Sequence, residues 1–277
     1  MIRGRRTIAW LCTAIAAASA APGGARASAM DRRAVLDSAL AEFDEALAMR
    51  ADDPAGARSL FRSAAQRFQS LVTDGVVNGR LEYDLGNCFL QSGDIGRAIL
   101  HYRRAERLAP RDPLLANNLS VARTRCITSV PPSRRSAVLR GVFFWHYQTT
   151  FAGRLLAGVG LYVLCWVLLT IYAVRRRRAI GVSAAVCALL VLSIAASLMV
   201  DHWSDRNAPP GVVTRMDVPV HTGPGSGYPR RFEQPLQPGT EFDLRERRGD
   251  WWRIQLPDGG SGWIAAAAAE LVLGNNL

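Results

Sequence analysis

Four histidines, His101, His146, His202 and His221, are the side chains best suited to acid–base or metal chemistry near neutral pH. They are scattered over three segments, and none has the spacing of a metal-ligand pair. His101 falls on a helical stretch, where a packed or solvated imidazole is the ordinary reading, and His146 and His202 sit beside apolar runs. Carboxylate pairs such as Glu42 and Glu45 lie on an exposed helix face and read as solvated surface. The sequence contains no G-x-S-x-G elbow, Walker sequence or H-E-x-x-H motif. All 34 basic residues are Arg, which removes lysine chemistry such as Schiff bases and the P-loop ammonium. The five cysteines, Cys12, Cys88, Cys126, Cys165 and Cys187, form no C-x-x-C pair and no disulfide framework. A bridge between Cys88 and Cys126 is an option only in an oxidising compartment. These residues point away from an enzyme, and no cofactor or metal is expected.

The elements that carry these side chains explain the charge. The formal net charge is +11 over 277 residues, yet residues 31–125 hold fourteen Arg against thirteen acids and residues 211–277 seven against eight. The excess flanks apolar runs. Arg3, Arg5 and Arg6 precede the run 8–21, Arg134, Arg135, Arg140 and Arg154 precede a second, and Arg175, Arg176, Arg177 and Arg178 follow it. That distribution reads as membrane orientation rather than nucleic-acid binding.

Residues 1–29 have a basic start, a short apolar stretch and small-x-small exits, the pattern of a secretory signal peptide, with a permanent anchor as the alternative. Residues 155–174 and 179–200 carry no charge and are each long enough to cross a hydrocarbon core of about 30 Å. The four arginines between them belong on the cytoplasmic face by the positive-inside rule. The expected protein therefore has two transmembrane helices in a bacterial inner membrane, with both soluble regions periplasmic. Phe143, Phe144, Trp145, Tyr147 and Trp203 read as interfacial aromatics. Gly153 with Ala157, Ala184 with Ala188 and Ser193 with Ser197 offer close packing between the spans.

From residue 31 to about 127 the apolar pattern is helical. Leu36, Leu40, Phe43 and Leu47 form one stripe and Leu60, Ala64, Phe68 and Leu71 another, with Pro54 suited to a first turn. Residues 128–150 read as linker and juxtamembrane segment. Beyond a Pro-Pro-Gly linker, residues 211–274 alternate short Val-, Phe-, Trp- and Ile-rich runs with Gly-Pro-Gly, Pro-Gly and Pro-Asp-Gly-Gly turns, the signature of a small all-β domain.

Glu82, Leu85, Gly86 and Phe89, followed by Ala98, Tyr102 and Pro110, fall at the spacings of the tetratricopeptide signature, with Glu82 where the family carries an aromatic. The segment resembles one such repeat. The stretches before and after it resemble a degenerate repeat and the first helix of another, and about three stacked pairs or a cap are expected. The resemblance implies a concave groove lined by Arg80, Tyr83, Asn87, Leu90, Gln91, Asn117, Asn118 and Val121, on the face opposite Leu81, Leu85 and Phe89. Val220 to Gly225, Pro238-Gly239-Thr240, Gly249 to Ile254 and Gly262-Trp263-Ile264 make the C-terminal stretch resemble a bacterial Src-homology-3-like barrel. Tyr228, Trp251, Trp252 and Trp263 would then offer an aromatic groove, with at least two of them spent on the core. In this order the chain resembles the tetratricopeptide proteins of the Bat (Bacteroides aerotolerance) operon group. The resemblance implies a multidomain membrane protein of all-α tetratricopeptide repeats, two transmembrane helices and a small all-β Src-homology-3-like barrel. Its implied role is an envelope scaffold in aerotolerance. The implied partners are membrane proteins with von Willebrand factor A domains and a MoxR-type ATPase system. The alternative is a cell-wall-binding module that tethers peptidoglycan enzymes to the membrane.

Overall fold

The structure, a computed structural model, describes residues 23–126 and 149–273, with side chains from residue 30 onward. Most of the expected leader, the linker 127–148 with its aromatic cluster and His146, and residues 274–277 lie outside the described residues. The chain divides into two compact units, Met1–Val76 and Val77–Leu277.

The first unit is a pair of helices, α1 (Gly23–Met49) and α2 (Pro54–Thr73). Asp53 caps α2, its carboxylate accepting from the Ala55 and Gly56 amides at 3.1 and 2.9 Å, and Pro54 occupies the first turn. The helices close on Phe61, which packs with Ala46 and Ala57 and meets the Phe43 ring edge-on at 5.3 Å. The stripe of α1 differs from the one expected. Ala39 and Ala46 are buried, whereas Leu40 and Leu47 are exposed. Small residues let the helix pair approach, so the alanine face wins over the leucine face.

The second unit begins with α3 (Gly79–Ser92), α4 (Ile95–Leu108) and α5 (Pro113–Arg125). Each starts on a side-chain cap: Asn78 to the Arg80 amide, Asp94 to the Arg97 amide, and Asp112 to the Leu114 and Leu115 amides. α3 and α4 cross at Gly86, where an added Cβ would stand 2.4 Å from the Tyr102 ring. Only a residue without a side chain permits that approach.

Helices α6 (Phe151–Arg175) and α7 (Arg178–Asn207) pack as a hairpin and are long and apolar enough to cross a membrane. Their outward faces are large apolar side chains such as Leu156, Leu189 and Val182, a surface that water would penalise heavily. Between the helices lie Cys165, Ala184, Cys187 and Ser197. Of the expected small-residue pairs, Ala184 and Ser197 reach this contact, while Gly153 and Ala157 face outward. Near the Phe151 end, the buried Arg154 guanidinium donates to Ser197 Oγ at 2.7 Å and to the Asp201 carboxylate.

The C-terminal part is a five-stranded antiparallel sheet of β1 (Pro210–Val213), β2 (Glu241–Arg248), β3 (Trp251–Gln255), β4 (Ser261–Ala265) and β5 (Ala269–Leu271), in the order β4-β3-β2-β1-β5. Val213, Val220, Leu236, Phe242, Leu244, Trp252, Ile254 and Ile264 fill its core. The chain is thus mostly helical with one small sheet.

The sheet is docked on the helices. Val212 of β1 and Val272, just after β5, belong to the same apolar cluster as Leu90, Ile99, Leu100 and Leu119. Arg104 of α4 donates to the Leu271 and Val272 carbonyls at 3.0 and 3.1 Å. Arg123 of α5 grips Glu241 with two hydrogen bonds, 2.7 and 3.1 Å, and Arg103 reaches the same carboxylate at 3.2 Å. Gly239, at φ +95°, turns where an added Cβ would meet Ile99 at 2.9 Å. Arg107 of α4 pairs with Asp205 of α7 through two further bonds, 3.0 and 2.6 Å. The sheet therefore covers the apolar surface that Leu90, Ile99, Leu100 and Leu119 present.

Candidate functional site

The groove expected on α3 and α5 is reorganised by its own side chains. Tyr83, at 8 % exposure, is buried against Tyr102 with ring centroids 6.0 Å apart. Asn118 Nδ2 donates to Tyr83 Oη and to Asn87 Oδ1, both at 2.9 Å, and Tyr102 Oη donates to the same Asn87 oxygen at 2.8 Å. Tyr83 and Asn87 of α3, Tyr102 of α4 and Asn118 of α5 thus form a polar seam joining three helices. Burial pushes the Tyr102 phenol well above its ordinary range, so it stays protonated and donating. Tyr83 and Asn87, which the groove implied by the resemblance would present outward, are held in this seam instead. Removing Asn87 takes the acceptor from the buried Tyr102 hydroxyl, at a cost of about 1–3 kcal/mol.

Leu90 is likewise buried in the cluster that receives the sheet. Gln91 and Val121 are half-buried, and Asn117 is exposed. Arg80 is exposed, lies 5.2 Å over the Tyr83 ring and pairs with Asp84 at 3.2 Å. The residues of this face that offer side chains outward are Arg80 and Asn117, flanked by Gln91 and Val121.

The four sheet aromatics also separate. Trp252 faces the core with Ile254. Trp263, also buried, pairs across the strands with Arg253 and lies under the Arg248 guanidinium, 5.5 Å above its ring. Trp251, half-buried, meets the His221 ring edge-on at 5.5 Å, and His221 Nδ1 lies 2.8 Å from the Tyr228 carbonyl. Tyr228 is half exposed. Trp251, through its ring, and Tyr228, through its carbonyl, both meet His221 and are what remains of the expected aromatic groove.

Sequence reasoning passed over a buried pair. Glu82, in the position that the repeat signature gives to an aromatic, meets His101 at 2.7 Å between Oε2 and Nδ1, and both are nearly inaccessible. The Phe89 ring stacks on the imidazole at 5.2 Å. The available signal was the charged residue at Glu82 itself, which needed a buried partner. Burial lowers the His101 pKa, opposed by the hydrogen bond and charge of Glu82, with Arg104 also lowering it and Glu270 raising it. A histidine held below its unfolded value of 6.5 binds fewer protons folded than unfolded. Stability is therefore present above that pH and is lost as pH falls through and below it. The melting temperature should decline on acidification below about 6.5, and His101→Gln, whose amide can still donate to Glu82, should flatten that decline. An unchanged slope in the variant would assign the acid sensitivity elsewhere.

A cleft of about 400 Å³ opens between α4 and the sheet, lined by Arg103, Glu241, Asp243, Arg245, Asp258 and apolar neighbours. Its charges are largely paired among themselves. The thiols of Cys88 and Cys126 are not bridged; Cys126 Sγ instead lies 3.3 Å from the Pro238 carbonyl oxygen. Burial pushes the Cys88 thiol up to about 12, with Asp84 adding to the shift. Among the described residues, no group of three or more His, Cys, Asp or Glu side chains is arranged to hold a metal ion. Compared with family models, curated proteins and solved structures, the chain matches none of them.

Proposed function

We propose that the chain is a membrane-anchored periplasmic scaffold, made of tetratricopeptide-like helices and a Src-homology-3-like barrel, that recruits partner proteins of an envelope stress or aerotolerance complex. The observation that carries this reading is the docking of the sheet on α3–α5. Two modules of the kind that bind proteins are joined by Arg104 and by the Arg123–Glu241 pair, and Arg107 fastens them to the end of α7. Contact between parts that precede and follow the hairpin supports a topology in which both lie on one side of the membrane. The four-arginine turn and the leader-like start support a periplasmic side for both. The partners on this reading are membrane proteins with von Willebrand factor A domains and a MoxR-type ATPase system, and the outward side chains Arg80 and Asn117 are the recruiting positions.

Crosslinked membranes provide the test. The tagged full chain should recover such partners, and Asn117→Arg should lose them. Surface changes of this type alter stability by less than about 0.5 kcal/mol, whereas an interface anchor is worth roughly 2 kcal/mol of binding. The circular dichroism and melting temperature should therefore stay at wild-type values. Wild-type recovery from this variant would reject the groove. A reporter fused after Leu277 should read exported and one within residues 175–178 cytoplasmic.

A cell-wall-binding role is the second reading, and Trp251 and Tyr228, which both meet His221, favour it. Retention on purified peptidoglycan that is lost in Trp251→Ala with Tyr228→Ala would select it.

A further inference from the structure

The turn that joins α6 to α7 is Arg176 and Arg177, and the helices beside it end on Arg175 and begin on Arg178. All four side chains are exposed. None of the four guanidinium groups has an ion-pair or hydrogen-bond partner among the described residues. The sequence offers no partner nearby either. Residues 113–200 contain no Asp or Glu, so every acidic side chain of the chain lies before α6 or after residue 200. In a two-span hairpin those regions are separated from the turn by about 30 Å of hydrocarbon. Four like charges on successive residues therefore repel one another with no countercharge from the chain itself. The backbone adds to the cost, because Arg176 stands at φ +45°, in the left-handed region where glycine or asparagine is the cheaper residue.

We propose that this turn is the docking site of one cardiolipin-type lipid, a phospholipid whose head group carries two phosphodiesters, held in the leaflet at that end of the hairpin. The proposal rests on reading α6 and α7 as membrane helices. The turn is too short to leave the bilayer surface, so its guanidinium groups lie at the level of the lipid phosphates. Each planar fork takes a phosphate through two parallel hydrogen bonds. Four forks exceed what one phosphodiester can engage, and two phosphodiesters on one molecule engage them with a single loss of ligand freedom. The site also has a fixed base. Tyr172, one helical turn before Arg176, lays its ring against Gly181 of α7, where an added Cβ would stand 3.0 Å from it. The two helix ends are thereby held together, and the arginines keep one arrangement instead of splaying. An acidic protein surface would carry the same charge, but it would have to reach down to the turn, whereas the lipid is already there.

The experiment uses the full chain, purified in mild detergent and stripped of lipid, with cardiolipin or phosphatidylglycerol added back at equal total phosphate and bound lipid counted by native mass spectrometry. Wild type should carry one cardiolipin, bound roughly tenfold more tightly than phosphatidylglycerol. Arg176→Gln with Arg177→Gln should lower cardiolipin binding roughly tenfold, the scale of two cations at a membrane surface. Arg176→Lys with Arg177→Lys, which keeps the charge and loses the fork, should fall between the two. Arg215→Gln with Arg230→Gln removes two exposed charges from the C-terminal part and should bind as wild type does. Equal affinity for the two lipids would mean attraction to surface charge alone and would overturn the site, as would unchanged binding in the glutamine variant of the turn. A wild type that takes up no cardiolipin and instead carries an acidic protein, lost with the same glutamines, would assign the turn to a protein and overturn the lipid. Carbonate extraction of the membranes separates the two readings: a chain that washes out defeats the membrane assignment and the site together, whereas an embedded chain without cardiolipin preference defeats the site alone.

Discussion

Deletion of residues 209–277 is expected to unfold α3–α5, not merely to remove a neighbouring module. Val212 and Val272 are buried in the helical cluster, and each is worth about 1.5–3 kcal/mol when withdrawn from water. The two bonds from Arg104 to strand carbonyls add about 1.5–3 kcal/mol apiece as charge-assisted contacts. Deletion also strips Glu241 from Arg103 and Arg123. The summed loss is comparable with the whole stability of a small domain, roughly 5–15 kcal/mol. Cys88 reports the outcome. It is fully buried, with a thiol pKa raised to about 12 from an ordinary 9.0, so a maleimide should label it slowly in the full chain and rapidly after deletion, with the other cysteines replaced. Equal protection in both proteins would show that the helices stand alone. Glu241→Ala is the milder version and should accelerate labelling by a smaller factor.

Gly86 should be the least tolerant position in α3. An added Cβ would lie 2.4, 2.5 and 3.0 Å from three atoms of the Tyr102 ring. That ring cannot retreat, because it is fully buried and its hydroxyl is bonded to Asn87. Overpacking of this kind costs about 1–3 kcal/mol or more, and Gly86→Leu should exceed Gly86→Ala. Gly160 in α6, where an added Cβ meets nothing within 4 Å, supplies the control: Gly160→Ala should leave the melting temperature of the full chain unchanged. A Gly86→Ala protein that melts with the control would show that the α3–α4 crossing has been put in the wrong place.

Local chemistry was legible in the sequence wherever one short segment decided the outcome. Asp53-Pro54 and Asp112-Pro113 announce helix starts because a carboxylate and a ring without N–H suit the first turn, and both start helices. The two uncharged runs needed only length and composition, and the glycine-proline turns marked the small sheet. Close packing at Gly86 was implied by its place in the repeat signature, and the Tyr102 ring is what packs there.

What the tertiary structure decided are the matters of partnership. Arg103, Arg104, Arg123 and Glu241 look like ordinary solvated charges in sequence, since each segment is nearly neutral by itself. Nothing local says that an arginine of α5 will meet a glutamate 118 residues away. The repeat resemblance puts Tyr83 and Asn87 on an outward face, but position along a helix fixes only direction from the helix axis. Whether a third helix covers that direction depends on where α5 lands, and Asn118 brings it there. The stripe of α1 moved for the same reason, because a bulky face and a small face of one helix both repeat at 3.6 residues and the neighbour chooses between them. Glu82 shows the limit most plainly. In sequence it departs from an aromatic position, and only the fold supplies His101, nineteen residues on, as the partner that lets a carboxylate be buried there.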